Sequence, residues 1–271
     1  MKKRVGIHSA PRSGSTWLGS IFDSHPNVVY KFQPLFSYAL KDYLTPGSSR
    51  KDIIDFFGKL ESTQDEFLDQ KEAKRNNFIP HFDKTEAKAI VYKEVRYHHL
   101  LENMLEKDDE ILVIGLIRNP LAVIYSWLKA PKEFKKELGW KVKEEWRYAP
   151  SKNLNKPEEF NGYEKWKEVA FLFERLQQQY PDRFYLQDYN TLLTKTTESV
   201  QKLFDFAGLE LTEQTKSFLR DSRRKEDQDA YGVYKTKVID DQWKTGLPDY
   251  IIDEITIDPE FKQLNDKNNW I

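Results

Sequence analysis

The stretch that most constrains this chain is residues 10–22, APRSGSTWLGSIF, close to its start. Residues 4–8 precede it and form a short apolar-leaning segment that is typical of a β-strand. Leu18, Ile21 and Phe22 then follow at the spacing of one helix face. The pattern therefore predicts a strand, a tight loop and the N-terminus of a helix.

This loop carries groups suited to a tetrahedral anion. A helix N-terminus presents unpaired backbone N–H groups and the positive end of the helix dipole. Gly14 allows the backbone to approach a ligand closely, and Arg12 adds a planar cation. Ser13, Ser15 and Thr16 can add hydroxyl donors. We therefore expect a phosphate site here, with an ordinary Ser/Gly-rich turn as the alternative.

The loop differs from a Walker A loop, which ends in Gly-Lys-Ser/Thr. From Pro11 to Leu18 it resembles the 5′-phosphosulfate loop of sulfotransferases that use 3′-phosphoadenosine 5′-phosphosulfate (PAPS). The family loop reads Pro-Lys/Arg-Ser-Gly-Ser/Thr-Ser/Thr-Trp/Phe-Leu, and this chain matches every position. The resemblance implies that Arg12 and the loop amides hold the 5′-phosphate and that Trp17 stacks on the adenine.

A second motif follows the clearest strand, residues 111–117, which is apolar on both faces as in a buried parallel sheet. Asn119 is a good N-cap and Pro120 a good first helical residue. Arg118 thus comes at the carboxyl end of a strand, where open α/β sheets bind ligands. The run RNPLAVIYS resembles the family's 3′-phosphate signature, which implies that Arg118 and Ser126 hold that phosphate. A salt bridge at the helix start is the alternative for Arg118.

The general base is not evident from the family pattern. Residues 28–32 predict a second strand, which Gln33-Pro34 closes. In the carbohydrate-type branch of the family the equivalent strand ends in Glu-Pro, and that Glu is the proposed base. A neutral amide cannot take a proton from an acceptor hydroxyl. The base therefore lies elsewhere, or activity is low, or the chain binds without reacting.

Residues 89–96 predict a third strand. Lys93 and Arg96 match the Lys-Thr-Ile-Arg segment of the carbohydrate branch, and the resemblance implies that Lys93 helps to hold the sulfonate or the activated acceptor. Val95 stands where the cytosolic branch has a catalytic His. Glu94 is the carboxylate nearest to the matched Lys, so it is the leading candidate base, with a strand-edge salt bridge as an equal alternative.

Other family positions are matched more weakly. His98 and His99 lie on a predicted helix, where one could serve as base, although a structural role is the more common one for such a His. Tyr189 stands where the family has a Tyr near the adenine. Lys235 or Lys237 stands where a basic loop of the family closes over the 3′-phosphate.

Three regions carry broader expectations. Residues 37–90 are expected to lie over the cleft and to help shape an acceptor pocket. Residues 129–162 interleave lysines, aromatic residues and glutamates, which favours a solvated helix and loop or a lid over the acceptor. The last 20 residues are expected to form a short helix and a frayed end.

Composition bounds the possible functions. Of the 271 residues, 32% are charged and 39% hydrophobic, which is typical of a soluble globular protein. A net charge of −1 offers no basic field for nucleic acid. The absence of cysteine excludes disulfides, thiolate metal sites and a Cys nucleophile. Neither a membrane span nor a signal peptide is evident, so a cytoplasmic location is the default expectation.

Together these features predict one α/β domain over residues 1–271, with a central parallel sheet flanked by helices in the P-loop-like fold related to nucleotide kinases. The resemblance implies transfer of a sulfuryl group from PAPS to a hydroxyl or amine, without a metal, leaving 3′-phosphoadenosine 5′-phosphate (PAP). A carbohydrate or another small molecule is the expected acceptor; the sequence does not indicate the oligomeric state. The alternatives are a nucleotide or small-molecule kinase of the same fold and a non-catalytic PAP-binding module.

Overall fold

A five-stranded parallel sheet forms the centre of the fold. The computed structural model describes residues 2–224, 233 and 240–271. The strand order is β2-β3-β1-β4-β5, and all neighbouring pairs are parallel. The strands are β1 (Lys3–Ser9), β2 (Val28–Phe32), β3 (Ala89–Glu94), β4 (Ile111–Ile117) and β5 (Phe184–Asp188). The predicted class, a single α/β domain with a parallel sheet, is confirmed.

Helices connect the strands and cover both faces of the sheet. They are α1 (Ser15–Asp23), α2 (Arg50–Ser62), α3 (Lys71–Arg75), α4 (Leu101–Lys107), α5 (Pro120–Leu128), α6 (Val142–Glu145), α7 (Pro150–Asn153), α8 (Tyr163–Gln179), α9 (Tyr189–Thr194), α10 (Thr196–Ala207), α11 (Glu213–Arg224), α12 (Trp243–Gly246), α13 (Asp249–Ile257) and α14 (Pro259–Asn268). Short 3₁₀ helices span Pro34–Phe36, His98–Leu100 and Lys136–Leu138. Among the described residues, no helix is both long and apolar enough to cross a bilayer.

Two hydrophobic cores lie on opposite faces of the sheet, because successive side chains of a strand point in opposite directions. In β4, Ile114 and Leu116 pack with α1, α9 and α10, whereas Val113 and Ile117 pack with α2, α5 and α8. Burial on both faces explains why this strand is apolar throughout.

The register places several strand ends at one edge. Ser9 of β1 lies opposite Leu116 of β4, and His8 lies opposite Glu94 of β3. The loops that follow β1 and β4 are therefore neighbours at the carboxyl edge, where this class of sheet binds ligands.

The C-terminal region differs from the expectation of one short helix and a frayed end. Two helices, α13 and α14, occupy this region. Ile251, Ile255 and Phe261 are buried in the core that contains α2, α5 and α8 (the main core). Trp270 stacks on Phe261 and its indole N–H donates to Asp188 Oδ2 at 2.9 Å. The expectation was wrong because the residues that cover these helices are distant in sequence.

Candidate active site

A cleft of about 1060 Å³ opens at the carboxyl edge of the sheet. Most of the residues singled out in the sequence line it: Arg12, Gly14, Ser15, Thr16, Trp17, Gln33, Lys93, Arg96, Arg118, Ser126 and Tyr189. They come from the loops after β1 and β4, the ends of β2 and β3, helix α5 and the start of α9. Residues distant in the sequence thus meet at one site.

The loop after β1 has an unusual backbone. Arg12 has φ 68° and Gly14 has φ 90°, both in the left-handed region. A non-glycine residue there costs roughly 1–2 kcal/mol, and such conformations cluster at functional sites. The loop carbonyl of Gly14 accepts hydrogen bonds from the Trp17 and Leu18 amides, at 3.1 and 3.3 Å, and so starts α1.

Glycine at position 14 has a more specific cause than the expected close approach of a ligand, namely the packing of Tyr189 against it. A Cβ there would lie 2.3 Å from Cε2 of Tyr189. The Tyr189 ring occupies the space that a side chain would fill, so glycine is required by internal packing as well as by its positive φ.

The two sequence motifs are joined by direct hydrogen bonds. Arg118 Nη1 donates to the carbonyl oxygen of Arg12 at 2.5 Å, and Arg12 Nε donates to Ser126 Oγ at 3.2 Å. Arg118 also forms a two-point ion pair with Asp240, with Nε–Oδ2 at 2.7 Å and Nη2–Oδ1 at 2.5 Å. Burial lowers the pKa of Arg118, but its hydrogen bonds to Asp240 and the charge of that residue raise it above its usual value overall.

Two aromatic side chains stand beside these cations. The rings of Trp17 and Tyr189 meet edge to face with centroids 6.4 Å apart, and the Arg118 guanidinium lies 4.8 Å from the Tyr189 centroid. The Trp17 indole N–H donates to Ser222 Oγ at 3.3 Å. The Arg223 guanidinium lies 5.9 Å from the Trp17 ring.

Lys93 also lines the cleft and is only 3% exposed. Its ammonium lies 4.4 Å from the centroid of Phe32, a cation–π contact. Burial lowers the pKa of Lys93, and the charge of Glu94 opposes this shift. The side chain is therefore a cation that is easily discharged in a desolvated position.

Glu94 does not lie among the described lining residues. It is fully buried, and its Oε1 accepts a hydrogen bond from the Leu35 amide at 2.8 Å. Burial raises the pKa of Glu94, against the hydrogen bond from Leu35 and the charge of Lys93. Successive side chains of β3 point in opposite directions, so Lys93 in the cleft directs Glu94 away from it. This placement does not suit the expected role of base.

The two candidate histidines are also outside the lining of the cleft in the described part of the chain. His98 is fully buried, and its Nδ1 lies 3.1 Å from Nδ1 of His8, whose Nε2 lies 3.0 Å from the Tyr92 hydroxyl. Burial lowers the pKa of His98 well below its usual value. This histidine belongs to a buried polar network, and His99 is only half-buried beside it.

Four polar lining residues were not singled out from the sequence: Glu133, Asn161, Ser222 and Arg223. The first two come from residues 129–162, for which a lid was one interpretation. The other two come from α11, for which no motif was recognised. No residue from 37–90 is among the described lining residues, so the expectation that this region shapes the cleft was wrong. Lys235 and Lys237 lie outside the described residues.

A family model of the sulfotransferase domain matches residues 2–246. The chain belongs to the sulfotransferase family. As a member it is an enzyme whose reaction class is sulfuryl transfer. No curated protein sequence matches this chain.

Solved structures share the fold at low sequence identity. The sulfotransferase domain of the Synechococcus PCC 7002 olefin synthase is 17% identical with a TM-score of 0.55, covering 100% of this chain and 96% of that one. A retinol dehydratase in complex with retinol and PAP is 14% identical with a TM-score of 0.54, covering 98% and 81%. A mouse sulfotransferase complexed with PAP is 12% identical with a TM-score of 0.51, covering 94% and 82%.

Proposed function

We propose that this sulfotransferase takes its sulfuryl group from PAPS and transfers it to a hydroxyl or amine of a small molecule, with a carbohydrate as the favoured acceptor class. The single observation that carries the donor is the junction of the two motifs. Arg118 bonds to the Arg12 carbonyl, and Arg12 bonds to Ser126, at 2.5 and 3.2 Å. Two guanidinium groups therefore lie in one cleft, which suits a nucleotide with two separate phosphate groups.

The loop after β1 fits a 5′-phosphate. The first amides of a helix have no acceptor within the helix, and here they belong to Ser15 and Thr16, both on the cleft. Ser13 is fully buried, and its hydroxyl has no hydrogen-bond partner among the described residues. Buried polar atoms are normally paired. Arg12, Ser13 and these amides would hold the phosphate and the leaving oxygen.

The other end of the site fits the rest of the nucleotide. Arg118 and Ser126 would bind the 3′-phosphate, and Trp17 and Tyr189 would bind the adenine through their ring faces. Lys235 or Lys237 as a further 3′-phosphate contact stays a prediction from the sequence.

The donor supplies a sulfuryl group on a phosphate leaving group. The chain contributes position and charge, as proteins do in the related phosphoryl transfers. Arg12 and the loop amides would stabilise the negative charge that develops on the leaving oxygen. Lys93, desolvated beside Phe32, would hold the sulfonate or the incoming acceptor oxygen.

The acceptor class rests on the Lys93-x-x-Arg96 segment and on the cleft surface around it. Arg96 lines the cleft, and its Nη1 donates to Gln33 Oε1 at 2.9 Å while its Nε donates to Glu159 at 2.9 Å. Asn161 adds an amide nearby. A polar lining of amides, guanidinium and carboxylate suits a hydroxyl-rich acceptor such as a sugar.

Arg12→Ala and Arg118→Ala test the site. Each should lower PAPS-dependent turnover by ~10²-fold or more, because preorganised donors to developing charge are worth about that much. Arg175→Ala is the matched control, since this arginine is exposed and pairs with exposed Glu102. Release of PAP from PAPS, measured with a panel of sugars, phenols and amines, is the assay. Full activity in either cleft variant would refute the assignment.

Two alternative functions can be tested with the same purified protein. A kinase of this fold would consume ATP in a magnesium-dependent manner. A non-catalytic module would bind PAP and transfer nothing to any acceptor; Gln33 is the residue that favours it.

We also propose that the domain extends to residue 271, beyond the matched range, because α13 and α14 bury Ile251, Ile255 and Phe261 in the main core. A cytoplasmic location completes the proposal, and cell fractionation tests it.

A further inference from the structure

The cleft lacks a base at both positions where the family pattern would supply one. Position 33 is Gln, and its Oε1 is occupied by the Arg96 guanidinium at 2.9 Å. Position 95 is Val, and Glu94 faces Leu35. Among the described residues that line the cleft, Glu133 is the only one with a carboxylate.

Glu133 is held in place from two directions. It lies in the turn after α5, where its amide donates to the Ala130 carbonyl at 2.9 Å. Its Oε2 pairs with Lys152 Nζ of α7 at 2.9 Å, and the two side chains are 26% and 18% exposed. The ion pair fixes the position of the carboxylate, whose oxygens keep lone pairs that can accept a proton.

The charges around Glu133 keep it ionised. Burial raises its pKa, but the charge and hydrogen bond of Lys152, followed by the charges of Arg96 and Arg12, lower it below the usual value overall. Its own negative charge in turn raises the pKa of Lys93. Glu133 therefore lies within electrostatic reach of both Arg12 and Lys93, the two cations assigned to the reacting groups.

We propose that Glu133 is the general base that removes the acceptor proton, and that Lys152 is the residue that positions it. The proposal rests on the proposed function. In the step, the acceptor O–H bond breaks and its proton moves to a Glu133 carboxylate oxygen. The acceptor oxygen forms a bond to sulfur as the bond between sulfur and the 5′-phosphate oxygen breaks, and that electron pair stays on the phosphate. Glu133 then releases its proton to solvent.

The first test compares Glu133→Gln with the wild type. The change keeps the shape and removes the basic oxygen, so kcat for PAP release from PAPS should fall by ~10²–10⁴-fold, the usual contribution of a general base. The acceptor is the compound of the panel that gives the fastest release of PAP from PAPS. If no compound of the panel reacts, the acceptor is water. Glu144→Gln is the control, since Glu144 is exposed in the same region and pairs with Lys141; it should leave kcat unchanged.

The second test restores a base by another route. The double variant Gln33→Glu with Glu133→Gln returns a carboxylate to the position where the family has one. Its kcat should be at least tenfold higher than that of Glu133→Gln alone. Lys152→Met should raise the pKa of Glu133 and shift the acid limb of the kcat–pH profile to higher pH. A merely structural pair would lower activity without moving that limb.

The outcomes are separable from those of the proposed function. A thermal shift with PAP that is retained in Glu133→Gln while kcat falls supports the proposal. Unchanged kcat in that variant overturns the assignment of the base and leaves the proposed function intact. A wild type that binds PAP but releases none from PAPS refutes the proposed function, and the base with it. A wild-type rate that rises as pH passes about 7, with Glu133→Gln following the same curve, assigns the base to Lys93 instead, because burial lowers the pKa of Lys93 to about 7. A wild type that does not bind PAP refutes the proposed function itself.

Discussion

Asp240 forms an ion pair with Arg118, the residue whose guanidinium group is assigned to the 3′-phosphate. Its carboxylate makes two bonds to Arg118, at 2.7 and 2.5 Å, and the two side chains are 14% and 17% exposed. A phosphate that binds Arg118 in the same way must displace it. Asp240→Asn should therefore tighten PAP binding, because the amide keeps one acceptor oxygen but loses the charge.

The magnitude follows from the hydrogen bonds. A hydrogen bond to a charged group contributes ~1.5–3 kcal/mol, and the residual amide contact offsets part of it. The dissociation constant of PAP should fall about tenfold, which corresponds to ~1.4 kcal/mol. Isothermal titration calorimetry of the wild type and Asp240→Asn measures it directly.

Two controls isolate the cause. Asp241→Asn changes an exposed neighbouring carboxylate and should leave the affinity unchanged. Adenosine 5′-monophosphate lacks the 3′-phosphate, so its affinity should not respond to Asp240→Asn. Equal or weaker PAP binding in Asp240→Asn would refute the competition and identify Asp240 as a residue that orients Arg118 for the ligand.

Three further predictions concern the fold around the site. Gly14→Ala should abolish the PAP thermal shift and lower the melting temperature, since its Cβ would overlap Tyr189 at a φ of 90°; Gly58→Ala, where the added Cβ meets nothing within 4 Å, is the control. The contribution of Glu94 to the free energy of unfolding should fall as pH rises above 4.5, because burial raises the folded-state pKa of Glu94, so that the folded protein keeps a proton that the unfolded chain has released. In urea titrations between pH 5 and 8, the free energy of unfolding of Glu94→Gln relative to the wild type should therefore rise with pH, whereas that of exposed Glu86→Gln should not. A difference between Glu94→Gln and the wild type that does not change with pH would contradict the assignment. A chain ending at residue 246 should fail to fold by circular dichroism, because it loses five buried apolar side chains of the main core at roughly 1.5–3 kcal/mol each; a chain ending at residue 270 should melt like the wild type.

The local signals in the sequence predicted much of the fold. The strand over residues 111–117 has the bounds of β4, and Asn119 caps the next helix through a side-chain bond to the Leu121 amide at 2.9 Å. Such features depend on neighbours within a few residues, so propensity and capping rules suffice. The same holds for the junction after β1.

The set of residues that line the cleft could not be predicted from the sequence, because it depends on contacts between residues that are distant in the chain. Ser222 and Arg223 reach Trp17 from α11, about 200 positions later, and no motif marks them. Glu133 became a candidate only when the fold placed it in the same cleft as Arg12 and Lys93. Glu94 follows Lys93 in β3, and a single step along a strand reverses the face of the sheet, so the sequence alone did not show that Lys93 lines the cleft and Glu94 does not.

The most direct measurement of the central claim is the thermal shift of the wild-type protein with PAP, with ATP and Mg²⁺ as the comparison. A ligand that binds only the folded state stabilises it by about 2.7 kcal/mol at ~100 times its dissociation constant. We predict a clear upward shift with PAP that is lost in Arg118→Ala. A shift with ATP and Mg²⁺ and none with PAP would contradict the assignment of the donor and favour a kinase.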